Sequence, residues 1–372
     1  MAESNHNSAP LIRLALEDDI IGNDLASALH TLRLDKTDLA DRFILDSEHP
    51  DFIIFSDHCM IYQEQCRRLR DYLHSSKDAI MILNSFECID PDLNVFDYAL
   101  VWNSDLKCGD RIARNIPYIY DIQSDDTFKN DLTHGQACRI LESRPKFCNF
   151  MYSHSSEPRD SFFRLLSQYK KADSLGRWMN NTGIQSTRYV SDWYGLSIGL
   201  KRGYKFSIAM ENAAYKGYTT EKIISSLQAH NVPIYWGDPD VSSLINPKAF
   251  INCGDYDSFD DVVERVKEID NDDGLWLDMV TQPWQTQEQY TRTLEIADEY
   301  SRFLQNIFSQ DIRKARRRPA GYWGDYCRKT FTGYAGSMPG LLTRLCRRMK
   351  LFAALRMPES LRIMTKRLFH MD

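Results

Sequence analysis

Two charged residues, Glu221 and Lys222, lie where the sequence predicts the first turn of a helix. Thr219 or Thr220 can serve as the N-cap of that helix. Its apolar face consists of Ile223, Ile224 and Leu227. Backbone N–H groups and the helix dipole favour an anion at such a terminus, and the lysine adds a full positive charge. The pattern suits a diphosphate, although glutamate is also a common first-turn residue and an exposed lysine beside it needs no function.

Glu211 and Asn212 mark the end of the preceding predicted strand, an apolar run over residues 205–210. After the helix, residues 234–236 predict the next strand. Open α/β sheets bind ligands at the carboxyl ends of their strands, so both side chains are candidates for the same site. They could orient a bound sugar, or they could hold the loop in its conformation, and the sequence leaves both roles open.

A longer motif surrounds these residues. It consists of Tyr204-Lys205-Phe206, Glu211-Asn212, Tyr218, Thr220-Glu221-Lys222 and Val232-Pro233-Ile234-Tyr235-Trp236-Gly237. The motif resembles the signature of the α1,3-fucosyltransferases, glycosyltransferase family 10, and residues 246–252 are also similar to that family. Met210 and Thr219 depart from the pattern, which has an aromatic residue and a valine at these places, and both positions suit packing better than chemistry. The resemblance weakens beyond this region but extends to about residue 310.

The resemblance implies a fold and an activity. The fold would be the GT-B architecture, an α/β fold of two doubly wound domains that face a cleft. The activity would be an inverting transfer of fucose from GDP-fucose to an N-acetylglucosamine hydroxyl of a lactosamine-type acceptor, with no essential metal or other cofactor. The α1,3 and α1,4 linkages both stay open. The alternatives are a related transferase with another nucleotide sugar or linkage, and a non-catalytic sugar- or membrane-binding protein that kept the fold.

Inverting transfer needs a base that deprotonates the acceptor hydroxyl, and Glu87 is the candidate catalytic residue. It follows the apolar run 79–83, which predicts a strand in the first half of the chain. Asp90, Asp92 and Asp97 are nearby competitors, and a solvated loop glutamate is the alternative.

The resemblance also points to Glu87. The family has a glycine and two carboxylates in this region, followed by proline and a Phe-Asp-Tyr-Ala run. The first carboxylate falls on Glu87, and the run is present as Phe96-Asp97-Tyr98-Ala99. Phe86 and Ile89 stand in place of the family's glycine and second carboxylate.

Arg159 and Lys222 are predicted to bind the departing diphosphate. Arg159 follows Pro158 at the start of a predicted helix, directly after a predicted strand over residues 146–152. The family's phosphate-binding arginine occupies the same place. Arginine can grip phosphate with two parallel hydrogen bonds, whereas lysine acts as a point charge. The resemblance further makes Tyr218 a contact for the nucleotide and Glu221 an acceptor for ribose or fucose hydroxyls.

Strands and helices alternate along the chain, which predicts parallel sheets covered by helices. Further strands are predicted over residues 11–16, 51–55, 98–102 and 116–120. Helices are predicted over residues 24–32, 60–74, 158–171, 258–269 and 287–308, the last of which is expected to pack across the domain interface. The turn-rich stretch 122–145 marks the crossing between halves. We therefore predict an acceptor-binding domain over residues 1–144, a GDP-fucose-binding domain over 145–311 and a basic amphipathic tail over 312–372.

The charge of the chain is distributed unevenly. Residues 313–372 contain 15 Lys/Arg and 3 Asp/Glu, a net charge of +12, whereas residues 1–312 carry −18. Within the tail, apolar residues recur at helical spacing over residues 342–353 with basic residues around them. This predicts an amphipathic helix on an anionic membrane surface, with a partner-binding helix or a disordered tail as alternatives. Nucleic acid is not expected as a partner, because the acidic body would repel it.

The beginning of the chain and the cysteines bear on location. No signal-peptide run opens the chain, and no apolar stretch approaches the ~18 residues of a membrane-spanning helix. Nine cysteines, with no Cys-x-x-Cys pair, predict free thiols in a reducing compartment, and no zinc-site spacing is present. Animal members of the family that the chain resembles carry an N-terminal membrane anchor, and bacterial members have similar basic tails. The resemblance therefore implies a bacterial, cytoplasmic protein associated peripherally with the inner membrane.

Overall fold

The computed structural model describes residues 10–17, 21–76, 78–122, 130, 132–184, 192–322 and 324–329. Within these ranges the strands form two sheets. The first sheet comprises β1 (Ile12–Leu16), β2 (Phe43–Leu45), β3 (Phe52–Ser56), β4 (Ile80–Asn84), β5 (Tyr98–Val101) and β6 (Ile112–Arg114). The second comprises β7 (Lys146–Phe150), β8 (Ala172–Ser174), β9 (Tyr204–Met210), β10 (Val232–Trp236) and β11 (Ile251–Asn252).

Helices connect the strands and cover both sheets. Those of the first half are α1 (Leu25–Thr31), α2 (His58–Ile61) and α3 (Gln63–Ser75), and the next helix, α4 (His134–Glu142), packs into the core of the second half. Those of the second half are α5 (Glu157–Tyr169), α6 (Trp193–Lys201), α7 (Glu221–Gln228), α8 (Phe259–Asn271), α9 (Asp273–Val280), α10 (Gln287–Ser309) and α11 (Ile312–Ala315). In the part of the chain that the structure describes, no helix combines the length and the apolar character needed to cross a membrane.

All strand pairs in the two sheets are parallel. The first sheet has the order β2-β1-β3-β4-β5-β6 and the second the order β11-β10-β9-β7-β8. Every residue of β3, β4, β5 and β9 is buried, which explains the continuous apolar runs that predicted them. In the first sheet β2 lies on one side of β1 and the later strands on the other, and in the second sheet β8 lies on one side of β7 and the later strands on the other. The strand order of each sheet therefore reverses once, next to β1 and next to β7. The crevices at the carboxyl ends of β1/β3 and β7/β9 are therefore the expected ligand positions.

The long helix α10 joins the two halves. It begins with a capping box at Thr286 in the second half. Its last turns pack into the core of the first half through Tyr300, Leu304, Ile307 and Phe308. The Phe308 ring meets Phe43 and Phe52 edge-on, with centroids 5.0 and 4.9 Å apart. The prediction that this helix crosses the domain interface is confirmed.

One strand prediction for the first sheet is wrong, and two short strands of that sheet were not predicted. The strand predicted over residues 116–120 is absent, because the last strand is β6 and Tyr118–Ile122 forms a 3₁₀ turn. Pro117 explains the difference, since it has no N–H for a sheet and its carbonyl accepts the turn bond from Tyr120 N. The strands β2 and β6 were not predicted, because each is a three-residue edge strand, too short to show a strand pattern in the sequence. The other predicted strands are confirmed, with shifts of one or two residues at their ends.

Three arginines that the sequence analysis placed in the basic tail belong to the folded body. The Arg318 guanidinium lies 3.1 Å from Asp97, and these two side chains are 2% and 0% exposed. Arg318 also donates to the carbonyl of Ala79 at 2.9 Å. Arg317 pairs with Asp110 at 2.6 Å, and Arg316 with Asp78 at 3.3 Å. The tail prediction is wrong for these residues because helical spacing carries no information about partners more than 200 positions away. The amphipathic segment 342–353 lies outside the described residues.

Candidate active site

The predicted donor-binding residues lie at the carboxyl edge of the second sheet. Strands β7 and β9 are neighbours there, although α5, β8 and α6 separate them along the chain. Helix α5 follows β7 and helix α7 follows β9, so two helix starts flank one crevice. This local topology brings Arg159 and Lys222 to the same side of the domain.

Arg159 occupies the first turn of α5, where it is 5% exposed. Its guanidinium carbon lies 4.2 Å from the centroid of the Tyr152 ring, and one of its terminal nitrogens donates to the carbonyl of His154 at 2.9 Å. The Nε atom is buried and has no hydrogen-bond partner among the described residues. A buried cation with unused donors is a site that an anion can complete.

Tyr152 supports Arg159 and was not identified from the sequence. Its hydroxyl accepts the N–H of Met210 at 2.7 Å and lies 2.9 Å from the carbonyl oxygen of Ile208, so it fixes the end of β9. Burial raises the pKa of this hydroxyl, whereas the positive charges of Arg159 and Lys222 both lower it. Tyr152 thus links the cation at the start of α5 to the end of β9, the strand that leads to Lys222.

Lys222 lies between two carboxylates. Its ammonium nitrogen is 2.9 Å from Glu211 and 3.5 Å from Glu221, and it donates to the Thr220 hydroxyl at 2.9 Å. Burial lowers the pKa of Lys222, but the two carboxylates outweigh burial and raise it above its usual range. The lysine is thus held charged at the start of α7.

Glu211 is fully buried and holds the loop before α7. Its carboxylate accepts the Thr220 N–H at 2.8 Å and the Thr220 hydroxyl at 2.9 Å. Burial raises the pKa of Glu211, and Lys222 opposes that rise. Of the two roles left open by the sequence, these contacts favour loop support over contact with a sugar.

Glu87 reaches this site from the first domain. It lies in the loop after β4, and its Oε2 atom accepts hydrogen bonds from the Tyr218 hydroxyl at 2.8 Å and from Asn212 Nδ2 at 3.1 Å. Burial raises the pKa of Tyr218, and the charges of Glu87, Glu211 and Glu221 raise it further. The structure therefore brings the predicted catalytic glutamate to the predicted donor-binding residues.

Asp57 orients the Glu87 loop and was missed by the sequence analysis. It follows β3 directly, is 0% exposed, and accepts the backbone N–H groups of Phe86 and Glu87 at 3.3 and 2.6 Å. Burial raises the pKa of Asp57, and these two backbone bonds oppose the rise. The rule that selected Glu87, a carboxylate just after a buried strand, could also have selected Asp57.

The three competing aspartates have partners of their own. Asp90 binds the hydroxyl of Tyr215, Asp92 binds Asn94, and Asp97 binds Arg318. Asp97 is also buried at the beginning of β5, at the opposite edge of the sheet. These contacts leave Glu87 as the carboxylate of this group that faces Tyr218 and Asn212.

Residues 212–219, which we call the interdomain loop, belong to the second domain and contact the first. Lys216 pairs with Asp105 of the first domain at 2.7 Å. Gly217 has φ +80°, and a Cβ at this position would collide with the carbonyl oxygen of Trp102. The Trp102 ring also meets Tyr218 edge-on, with centroids 5.7 Å apart, and stacks on Tyr118. The sequence analysis missed Trp102 and Tyr118, because their proximity to Tyr218 arises only when the domains meet.

The described residues include no group of three or more His, Cys, Asp or Glu that could hold a metal ion. The expectation that no metal or other cofactor is essential stays a prediction. The described residues themselves supply a buried cation, Arg159, a partly buried cation, Lys222, and a helix start, with a carboxylate opposite them from the other domain. That combination can hold a diphosphate and remove a proton from a hydroxyl.

Residues 141–318 match the family model described as "Glycosyltransferase family 10 (fucosyltransferase) C-term". The chain is 30% identical over 198 residues to "Putative fucosyltransferase R654" of Acanthamoeba polyphaga mimivirus, covering 52% of this chain and 32% of that protein. It is 27% identical over 271 residues to "Alpha-(1,3)-fucosyltransferase FucT" of Helicobacter pylori, covering 64% of this chain and 52% of that protein. The chain thus spans about a third to a half of the length of these relatives.

A crystal structure of an α1,3-fucosyltransferase with GDP-fucose superposes on the fold with a TM-score of 0.58 and 22% identity. The match covers 84% of this chain and 94% of that chain. The predicted GT-B architecture of two doubly wound domains facing a cleft is confirmed. The matched family region ends at Arg318, the buried arginine that binds Asp97.

Proposed function

We propose that this chain, which belongs to glycosyltransferase family 10, is an inverting α1,3-fucosyltransferase that uses GDP-fucose. The observation that carries the proposal is the position of Arg159 and Lys222 in the first turns of α5 and α7, the helices that follow the paired strands β7 and β9. Glu87 faces the same edge from the first domain. Transfer of a sugar from a nucleotide diphosphate needs this pairing of cations for the leaving group with a base for the acceptor.

In the proposed donor complex, the diphosphate lies at the starts of α5 and α7. Arg159 supplies directed N–H donors, including the buried Nε, while Lys222 and the backbone N–H groups of α7 supply positive charge. As the bond between fucose C1 and the diphosphate oxygen breaks, negative charge accumulates on that oxygen. These groups stabilise the charge, and Glu211 keeps Lys222 and Thr220 in position.

In the proposed transfer step, Glu87 takes the proton of the acceptor hydroxyl. The hydroxyl oxygen forms its bond to C1 on the face opposite the diphosphate, so the anomeric centre inverts and GDP leaves. Tyr218 and Asn212 hold one carboxylate oxygen of Glu87, and no described residue donates a hydrogen bond to the other. The second oxygen is the one proposed to meet the acceptor.

The acceptor proposal is a lactosamine-type unit of a bacterial surface glycan. Transfer to a membrane-borne glycan would be consistent with a peripheral position on the inner membrane through the basic residues that follow Lys329. Residues 330–372 contain eight Lys/Arg and two acidic residues, a net charge of +6, which is half of the +12 counted for residues 313–372. Arg316, Arg317 and Arg318 contribute less to such a surface, since they form ion pairs with the first domain.

The function can be tested by incubating the purified chain with GDP-fucose and N-acetyllactosamine and analysing the product by NMR. The expected product carries an α-linked fucose on the 3-hydroxyl of N-acetylglucosamine, with release of one GDP for each fucose transferred. The Glu87→Gln variant, prepared in the same way, is the matched negative control. Turnover of a different nucleotide sugar would favour the related transferase, and sugar or membrane binding without any turnover would favour the non-catalytic alternative.

A further inference from the structure

A small cavity of about 180 Å³ lies between the last turn of α3 and the segment that follows α11. We call it the basic pocket, because Arg316, Arg318, Arg328 and Lys329 line it together with a single carboxylate, Asp325. Its volume is below the ~300 Å³ at which pockets for drug-sized ligands begin. The pocket therefore suits a small charged group and not a whole nucleotide sugar.

The basic pocket has more positive than negative charge. Arg318 pairs with buried Asp97, and Arg328 pairs with Asp325. Arg316 is 3.3 Å from Asp78, whose side chain is fully exposed to solvent, so that pair is weak. The Nε atom of Arg316 is buried and has no hydrogen-bond partner among the described residues. An anion in the pocket would supply an acceptor for this Nε atom and a stronger charge partner for Arg316 than the exposed Asp78.

The charges of the basic pocket also act on one another. Burial lowers the pKa of Arg318 to about 10, and the nearby positive charges of Arg316 and Arg328 lower it further against the opposing effect of Asp97. These three guanidinium groups all line the same small pocket. Guanidinium groups bind phosphate with paired hydrogen bonds, so phosphate is the anion for which this lining is best suited.

The basic pocket is separate from the candidate active site. Arg318 binds Ala79 O and Asp97, which directly precede β4 and β5, whereas Glu87 lies in the loop after β4. The five residues of β4, about 16 Å of strand, therefore separate the two sites at opposite edges of the first sheet.

We propose that the basic pocket binds a phosphate group, either as free phosphate or diphosphate or as the headgroup of an anionic lipid. This inference is independent of the proposed function, because none of the pocket residues has a role in transfer. Lys329 is followed by the eight Lys/Arg of residues 330–372, so the pocket lies where the folded body meets the basic end of the chain. A bound headgroup would hold that end of the body against an anionic membrane.

The direct test measures pyrophosphate binding to the full chain by calorimetry, with GDP at saturation to occupy the diphosphate site. The pocket variant is Arg316→Gln/Lys329→Gln, which leaves the buried Arg318–Asp97 pair intact. The control variant, Arg265→Gln/Arg302→Gln, removes two positive charges from the surface of α8 and α10. The pocket variant should raise the pyrophosphate dissociation constant at least about tenfold, and the control should leave it unchanged.

A second arm distinguishes the source of the phosphate. Each chain is sedimented with vesicles of phosphatidylglycerol and, separately, of phosphatidylcholine. A headgroup ligand predicts that only the pocket variant loses binding to phosphatidylglycerol, whereas a free phosphate ligand predicts equal vesicle binding and a loss confined to pyrophosphate. If the pocket and control variants bind both pyrophosphate and phosphatidylglycerol vesicles equally, the proposal is overturned. Thermal melting of both variants establishes that each is folded.

Discussion

Replacing Glu211 with alanine tests whether this residue supports the site or contacts the sugar. The carboxylate is fully buried and accepts two hydrogen bonds from Thr220 and one ion pair from Lys222, at distances of 2.8 to 2.9 Å. Its removal leaves the Thr220 N–H without an acceptor and leaves Lys222 with Glu221 alone, 3.5 Å away. Breaking a buried pair in this way costs about 3–5 kcal/mol, out of a total stability of about 5–15 kcal/mol for a typical fold.

The assay is equilibrium unfolding in urea, combined with the KM for GDP-fucose. Glu211→Ala should lower the unfolding free energy by about 3–5 kcal/mol. Glu211→Gln keeps an acceptor oxygen for Thr220 but loses the charge that faces Lys222, so its cost should be smaller, about 1.5–3 kcal/mol. The control is Glu268→Ala, which removes an exposed partner of Arg265 and should change stability by less than about 1 kcal/mol.

The two possible roles of Glu211 predict different results. Loop support predicts a large loss of stability with the alanine variant and a partial recovery with glutamine. Direct contact with the sugar predicts near-normal stability together with a raised KM for GDP-fucose. A Glu211→Ala variant within 1 kcal/mol of the wild type would refute the structural reasoning.

Three further predictions concern the candidate site and its surroundings. Glu87→Gln should lower kcat by about 10²–10⁴-fold while leaving GDP affinity nearly unchanged, and near-normal turnover would remove Glu87 from the mechanism. Arg159→Ala and Lys222→Ala should each weaken GDP binding by at least about tenfold in calorimetry, and unchanged affinity would count against their phosphate role. Burial lowers the pKa of Lys201 to about 8, against an ordinary lysine pKa of 10.5. Below pH 8 the buried charge should therefore lower the free energy of unfolding by about 3 kcal/mol, and this cost should disappear as the pH rises from 8 to 10.5. Lys201→Met should therefore unfold at higher urea than the wild type at pH 7, and the difference should shrink between pH 8 and pH 10; a constant difference would contradict it.

Features that depend on neighbouring residues could be predicted from the sequence. Helices α5 and α7 begin where Pro158 and Thr220 indicated, which places Arg159 and Lys222 in first turns. The apolar runs of β3, β4, β5 and β9 predicted buried parallel strands, because a strand covered on both faces has no polar side. The strand predicted over residues 116–120 failed because a local apolar run was weighed more heavily than the proline inside it.

Contacts between distant residues could not be predicted in this way. A count of charged residues in 313–318 gives the same value whether the arginines face a membrane or bind an aspartate. Only the folded chain shows that Arg318 pairs with Asp97. The two roles of Glu211 were equally compatible with its position at a strand end. The hydrogen bonds to Thr220 favour loop support, since they require the loop to fold back on the end of β9.

The sequence by itself determined the composition of the site: two cations at helix starts, a carboxylate after a buried strand and an acidic body with a basic end. These properties follow from side-chain chemistry and from the periodicities of 2 and 3.6 residues that govern short segments. Only the tertiary structure decided that Glu87 accepts a hydrogen bond from Tyr218, 131 residues further along the chain. It likewise decided that Arg316, Arg317 and Arg318 form ion pairs with the first domain. The physical reason is that such contacts depend on how two separately wound sheets face each other, a property that local spacing does not encode.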